Sequence, residues 1–222
     1  MTRGGRLGVV GGTFDPIHWG HLDAANAATG ALALTDLLFV PSHVPPHRPA
    51  RPHASAFHRF AMTALATQAL PHAAVSDIEV QRPGPSYSVE TLASLHAQGW
   101  DASQIFFVIG ADAFAEIATW RGYPALLDLC HFAVVSRDAT AADAVARRQP
   151  GLVARITAPA ALGPSAHGTA IVPLGVDTRP VSSTLVRSRV AAGLDISDLV
   201  PPPVATYIAR HALYCQPGQD LA

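Results

Sequence analysis

The sequence predicts an α/β protein: a parallel sheet with helices on both faces and a small helical C-terminal portion. Short apolar runs alternate with longer stretches of helical spacing along most of the chain, which is the pattern of linked βαβ units. One run, IFFVIG at 105–110, is apolar almost without interruption, as a strand buried on both faces is. The first run, LGVV at 7–10, leads through a glycine turn directly into a helical stretch.

Taken in order, LGVV reads as a buried strand and HLDAANAATGAL, from His21, as the first helix. DLLFVP (36–41) reads as a second strand, followed by the proline-rich basic loop SHVPPHRPARPH. SAFHRFAMTALATQAL (55–70) has helical spacing, and AVSDIEV (74–80) reads as a strand. PSYSVETLASLHAQG is helical from about Ser86 and leads to the strand IFFVIG. ADAFAEIA and PALLDL each allow a helical turn or two before the strand HFAVVS (131–136). From Asp138 to about Gly168 the chain is alanine-rich and carries no legible function. Order returns with the strand TAIVPLG (169–175), the helix VSSTLVRSRVAAG (181–193) and a closing helix VATYIARHAL (204–213). The 222 residues suit one domain, 1–222, whose helical C-terminal part covers about 182–213.

Composition narrows the partners. The formal net charge is −1, from 15 basic and 16 acidic residues, so no overall positive field points to nucleic acid. The two cysteines, Cys130 and Cys215, make neither a disulfide framework nor a four-cysteine zinc site. The basic start MTRGGR is followed by an apolar stretch that GG and TFDP cut short, too brief for a signal peptide or a membrane span. A cytoplasmic enzyme with no membrane partner is the expectation, with a homo-oligomer left open.

GGTFDPIHWGHL (11–22) is the most informative stretch. A strand, a glycine loop and a helix start leave backbone N–H groups facing a cleft, where they favour an anion such as phosphate. Gly12, Thr13 and Phe14 sit where amides would face it, and Thr13 adds a hydroxyl. Asp15 before Pro16 reads as a turn or cap residue. His18 and His21 lie three apart at the helix start, and Gly20 removes a side chain between them, so both imidazoles can reach one phosphate. Local helix-start bonding and half of a metal site are the competing readings; a zinc pair would need further ligands, and no cysteine pair is present. A second cluster, VSSTLVR (181–187), opens a helix with Ser182, Ser183 and Thr184 and places the forked guanidinium of Arg187 one turn on. Its competing reading is a helix cap with a surface arginine.

GGTFDPIHWGHL followed far downstream by VSSTLVR resembles the nucleotidylyltransferases of the H-x-G-H type. The middle segments VPSHVPPHR, RPGPSYSVETL and IGADAFAEIATWRGYPALLDLCHFAVVSR narrow the resemblance to bacterial nicotinate-nucleotide adenylyltransferases, from about Leu7 to Ile208 with a gap in the alanine-rich stretch. There are departures: Ser88 stands where threonine is usual, Asp138 where proline is common, and Val181 where isoleucine is usual.

The resemblance implies a Rossmann-like fold and the joining of ATP to nicotinate mononucleotide, with release of pyrophosphate. It implies His18, His21 and Arg187 as catalytic residues. Gly12, Thr13, Phe14, Gly20, Gly110, Asp112, Ser183 and Thr184 join them in holding ATP, with Asp112 toward the ribose. His47 and Arg48 would meet the mononucleotide phosphate. Ser86, Tyr87 and Ser88 would offer amides to the pyridine carboxylate and Trp120 a stacking face, with Arg121 and Arg137 nearby. Mg²⁺ would be held mainly by phosphates and water, without a protein cage. Alternatives are an adenylyltransferase for nicotinamide mononucleotide or phosphopantetheine, or a silent nucleotide-binding module.

Overall fold

The computed structural model describes residues 4–46, 51–137, 144, 150–162 and 168–215. Strands β1 (Leu7–Gly12), β2 (Asp36–Pro41), β3 (Ala73–Val75), β4 (Ile105–Gly110), β5 (His131–Ser136) and β6 (Ile171–Gly175) form one sheet in the order β3-β2-β1-β4-β5-β6. Every pairing is parallel. The helices are α1 (Trp19–Leu32), α2 (Ala56–Thr67), α3 (Ser88–Ala97), α4 (Ala111–Ala115), α5 (Pro150–Val153), α6 (Ser183–Ala191) and α7 (Pro202–Arg210).

Parallel strands need long crossovers, and these cover both faces of the sheet. One face packs Phe39 and Val108 against Leu22 and Ala25 of α1, Met62 of α2, Val186 of α6 and Val204 and Ile208 of α7. The other packs Phe107 and Phe132 against Leu92 and Leu95 of α3 and Phe114 of α4. The strand order reverses between β1 and β4, and a crevice opens beyond the strand C-termini at such a point. Pairing of these two strands ends at Val10↔Val108, although both strands continue. Gly11 is needed here, because a Cβ would come 2.9 Å from the Phe107 ring.

Strands β2, β4 and β5 coincide with the apolar runs read from sequence. The strand expected over 74–80 does not; only Ala73–Val75 pairs. Ser76 N–H makes the last ladder bond, to Phe39 O at 2.9 Å. Ser76 Oγ then accepts from Ile78 N–H at 3.3 Å and Gln81 N–H bonds Asp77 O, so local turn bonds replace the ladder. Helix α1 starts two residues before His21, and α7 runs from Pro202 rather than over 204–213. Prolines in a first turn forgo an N–H that has no helical partner anyway. Among the described residues no helix is long and apolar enough to cross a membrane.

Candidate active site

A cleft of about 780 Å³ opens at the strand-order reversal, and Gly11, Gly12, Thr13 and Phe14 of the glycine loop line it. Phe14 holds the left-handed conformation, φ 50°, and the Asp15–Pro16 peptide is cis. The Phe14 ring is buried, packed edge-on to His21 at 5.0 Å and tilted against Phe39. Asp15 is also buried, and its carboxylate accepts from His53 N–H (2.7 Å), Ala54 N–H (3.0 Å) and the Tyr214 hydroxyl (2.9 Å). Asp15 does lie in the turn read for it, but its carboxylate caps no helix and instead ties the loop to distant segments.

His18 is the N-cap of α1. Its backbone N–H donates to His21 Nδ1 at 3.2 Å, and the two rings stack with centroids 3.8 Å apart, so the structure brings the pair together. A Cβ on Gly20 would lie 3.2 Å from the His18 ring and 3.4 Å from the Arg179 carbonyl. His18 is 7% exposed. Burial brings its pKa down to about 4, only partly opposed by Asp23, so the imidazole is neutral at pH 7. Its Nδ1 has no hydrogen-bond partner among the described residues. Among the described residues no group of three or more His, Cys, Asp or Glu could hold a metal ion, so the metal reading of the histidine pair gains no support.

Gly110 and Asp112 at the start of α4 line the cleft, with Trp120, Arg121 and Arg137. Trp120 meets Phe107 edge-on at 6.1 Å, while Arg121 lies over the Tyr87 ring and bonds Glu90 at 3.1 Å. Ser86, Tyr87 and Ser88 are also in the wall. Ser86 Oγ accepts from His43 N–H at 2.8 Å, and Tyr87 caps α3 with no side-chain bond, which leaves amides at that helix start. His47, Arg48 and Asp138 lie outside the described residues.

The second motif is split. Ser183 lines the cleft, and its hydroxyl donates to Pro16 O at 2.9 Å. Thr184 and Arg187 are not in the wall; Arg187 Nη1 donates to Asp15 O (2.7 Å) and Nη2 to Thr184 Oγ1 (3.3 Å). Several lining residues escaped the sequence reading, Arg179, Glu79 and Ser42 among them. Arg179 pairs with Asp23 at 2.6 Å and covers the Trp19 ring; an arginine before a proline just upstream of the serine cluster was the available signal. Glu79 is buried and takes the Thr91 hydroxyl at 2.5 Å, and burial raises its pKa. Reading 74–80 as a strand concealed it. Ser42 carries a buried hydroxyl with no hydrogen-bond partner among the described residues, which no sequence pattern announces.

An all-parallel sheet whose strand-order reversal holds a glycine loop, paired imidazoles and several helix starts defines a doubly wound nucleotide-binding α/β protein. The cytidylyltransferase-like family model matches residues 9–189. The chain is 38% identical over 214 residues to a probable nicotinate-nucleotide adenylyltransferase of Moorella thermoacetica, covering 96% of this chain and 94% of the relative. It is 39% identical over 213 residues to the protein of the same name from Symbiobacterium thermophilum, covering 94% and 95%. The chain therefore belongs to the cytidylyltransferase-like family and, within it, to the nicotinate-nucleotide adenylyltransferases. The Plasmodium falciparum nicotinic acid mononucleotide adenylyltransferase, solved in complexes with APC and with NaAD, has the same fold at TM-score 0.63 and 16% identity, over 95% of this chain and 97% of that one.

Proposed function

We propose that this chain joins ATP to nicotinate mononucleotide, giving nicotinate adenine dinucleotide and pyrophosphate, with residues 1–222 acting as a single nucleotidylyltransferase domain. The observation that carries the reading is the convergence of the stacked pair His18 and His21, the glycine loop and Ser183 on the cleft that also holds Ser86–Ser88 and Trp120. The names of the relatives supply the substrate class.

A phosphate oxygen of the mononucleotide attacks the α-phosphorus of ATP; the new P–O bond forms as the bond to the bridging oxygen breaks and pyrophosphate leaves. The nucleophile is already ionised at neutral pH, so no general base is required, and catalysis is positioning plus charge stabilisation. His21 Nδ1 accepts from His18 N–H, so its ring proton lies on Nε2, ready to donate to the reacting phosphate. Neutral His18 contributes a hydrogen bond and not a charge. The first amides of α6, that of Ser183 among them, hold the departing phosphates, while the Ser183 hydroxyl anchors the turn to Pro16 O and Arg187 braces it against Asp15 O and adds positive charge behind it. Asp112 accepts from the ATP ribose. The amides at the start of α3 take the pyridine carboxylate, and Trp120 stacks on the ring.

Mg²⁺ would be carried by the nucleotide's own phosphates and water, which needs no cage of protein ligands. Its chemistry there is to neutralise charge on the phosphates.

Pyrophosphate release from ATP and Mg²⁺ at matched subsaturating nicotinate and nicotinamide mononucleotide tests the proposal. Preference for the acid is the expected result. Preference for the amide overturns the assignment of the pyridine end, and silence with both overturns the reaction.

A further inference from the structure

Arg59 on α2 is the bulkiest fully buried side chain of the described residues, 1% exposed. Its guanidinium donates to three backbone carbonyls from three separate loops: Nη1 to Thr13 O at 2.6 Å, Nη2 to His43 O at 2.9 Å and Nε to Ala54 O at 3.2 Å. No carboxylate of the described residues forms an ion pair with it; the buried Asp15 carboxylate acts on it through space. Burying a cation is unfavourable even when it is well bonded, and an apolar side chain of similar volume would fill the same space more cheaply. The arrangement therefore calls for an explanation other than packing.

The Thr13–Phe14 peptide supplies it. That peptide is trans, so the Phe14 N–H points opposite to the Thr13 carbonyl. Arg59 holds the carbonyl from behind, while Thr13 and Phe14 line the cleft and Arg59 does not. The Phe14 N–H makes no hydrogen bond to the described residues. Phe14 holds φ 50°, a conformation that is disfavoured for a non-glycine residue and persists only where its surroundings enforce it. If this peptide turned over, a carbonyl would face the cleft and repel an anion.

We infer that Arg59 is a positioning residue that holds the Thr13 carbonyl and thereby aims the Phe14 N–H into the cleft as a donor to the ATP phosphates. The inference rests on the proposed function for the identity of the anion.

Arg59→Lys keeps the charge and loses the three-way fork. Calorimetric ATP binding to this variant, which needs no second substrate, is expected to weaken by about tenfold. In turnover, KM for ATP should rise while KM for the mononucleotide stays about the same. Wild-type binding of ATP by the folded variant, or an equal rise in both KM values, overturns the inference, the second because it signals general loosening of the cleft. Where the variant does not fold, the ¹⁵N-labelled wild-type protein decides. Its Phe14 amide proton should move downfield as ATP is added, and an unmoved resonance overturns the inference. Wild-type turnover with nicotinate mononucleotide tests the parent proposal separately, so the two can fail independently.

Discussion

His18 and His21 illustrate how burial selects among the chemistries available to a histidine. The His18 ring stacks on His21 and is kept neutral by desolvation, which disfavours the imidazolium. Its folded pKa of about 4 lies below its ordinary 6.5, so the unfolded chain binds the proton first as pH falls. The stability tied to this residue is therefore complete above about pH 6.5, declines toward pH 4 and is flat below, a loss of about 3 kcal/mol. Urea midpoints at pH 7 and pH 4.5 should differ less in His18→Asn than in the wild type. Buried His131 shifts in the same direction, so the comparison of variant with wild type isolates His18. For His21, removal of one preorganised donor in His21→Ala should lower kcat/KM by about 2–4 kcal/mol in barrier terms with the fold intact. Unchanged turnover would remove His21 from the mechanism.

The elements that build the cleft meet at Asp15. Its carboxylate ties the glycine loop to residues 53 and 54 and to Tyr214, and its carbonyl ties the loop to Arg187 of α6. Removing the hydroxyl in Tyr214→Phe withdraws one bond to a buried carboxylate and should cost about 2 kcal/mol, read from urea unfolding. Arg187→Ala tests the second motif at the same scale. Weakened ATP binding together with a lowered Tm is expected, and a lowered Tm with normal ATP binding would leave the arginine a purely structural brace. At this scale the sequence was legible wherever a strand is central. IFFVIG and HFAVVS are buried on both faces and so carry an uninterrupted apolar signal. β3 lies at the sheet edge and is short, so the apolar residues after Val75 imitate a strand that turn bonds in fact interrupt.

Across the whole molecule, stability rests on two apolar layers that sandwich one sheet. Phe39 of β2 is fully buried in the apolar layer between the sheet and the helices of its face, so Phe39→Ala should cost about 3–5 kcal/mol through lost transfer energy and a residual cavity. Phe57 is 74% exposed, and Phe57→Ala should stay within about 0.5 kcal/mol. Denaturation of the two variants under identical conditions checks both values; equal losses would contradict the assignment of the core. The same layering explains why the cleft lies where it does. Helices on opposite faces diverge at the β1–β4 reversal and leave the strand ends uncovered.

The sequence by itself determined the parallel α/β class, five of the six strands to within two residues, and the two motifs around His18–His21 and Ser183–Arg187. These are local: each depends on periodicity, glycine position or helix starts within a dozen neighbouring residues. Only the tertiary structure decided which side chains face the cleft. It placed Glu79, Ser42 and Arg179 in the wall, set Arg187 behind it and buried Arg59 beneath the glycine loop. Those assignments join residues up to 172 positions apart, as in Arg187 and Asp15. Burial and hydrogen-bond direction are properties of the assembled layers, and no local pattern encodes them.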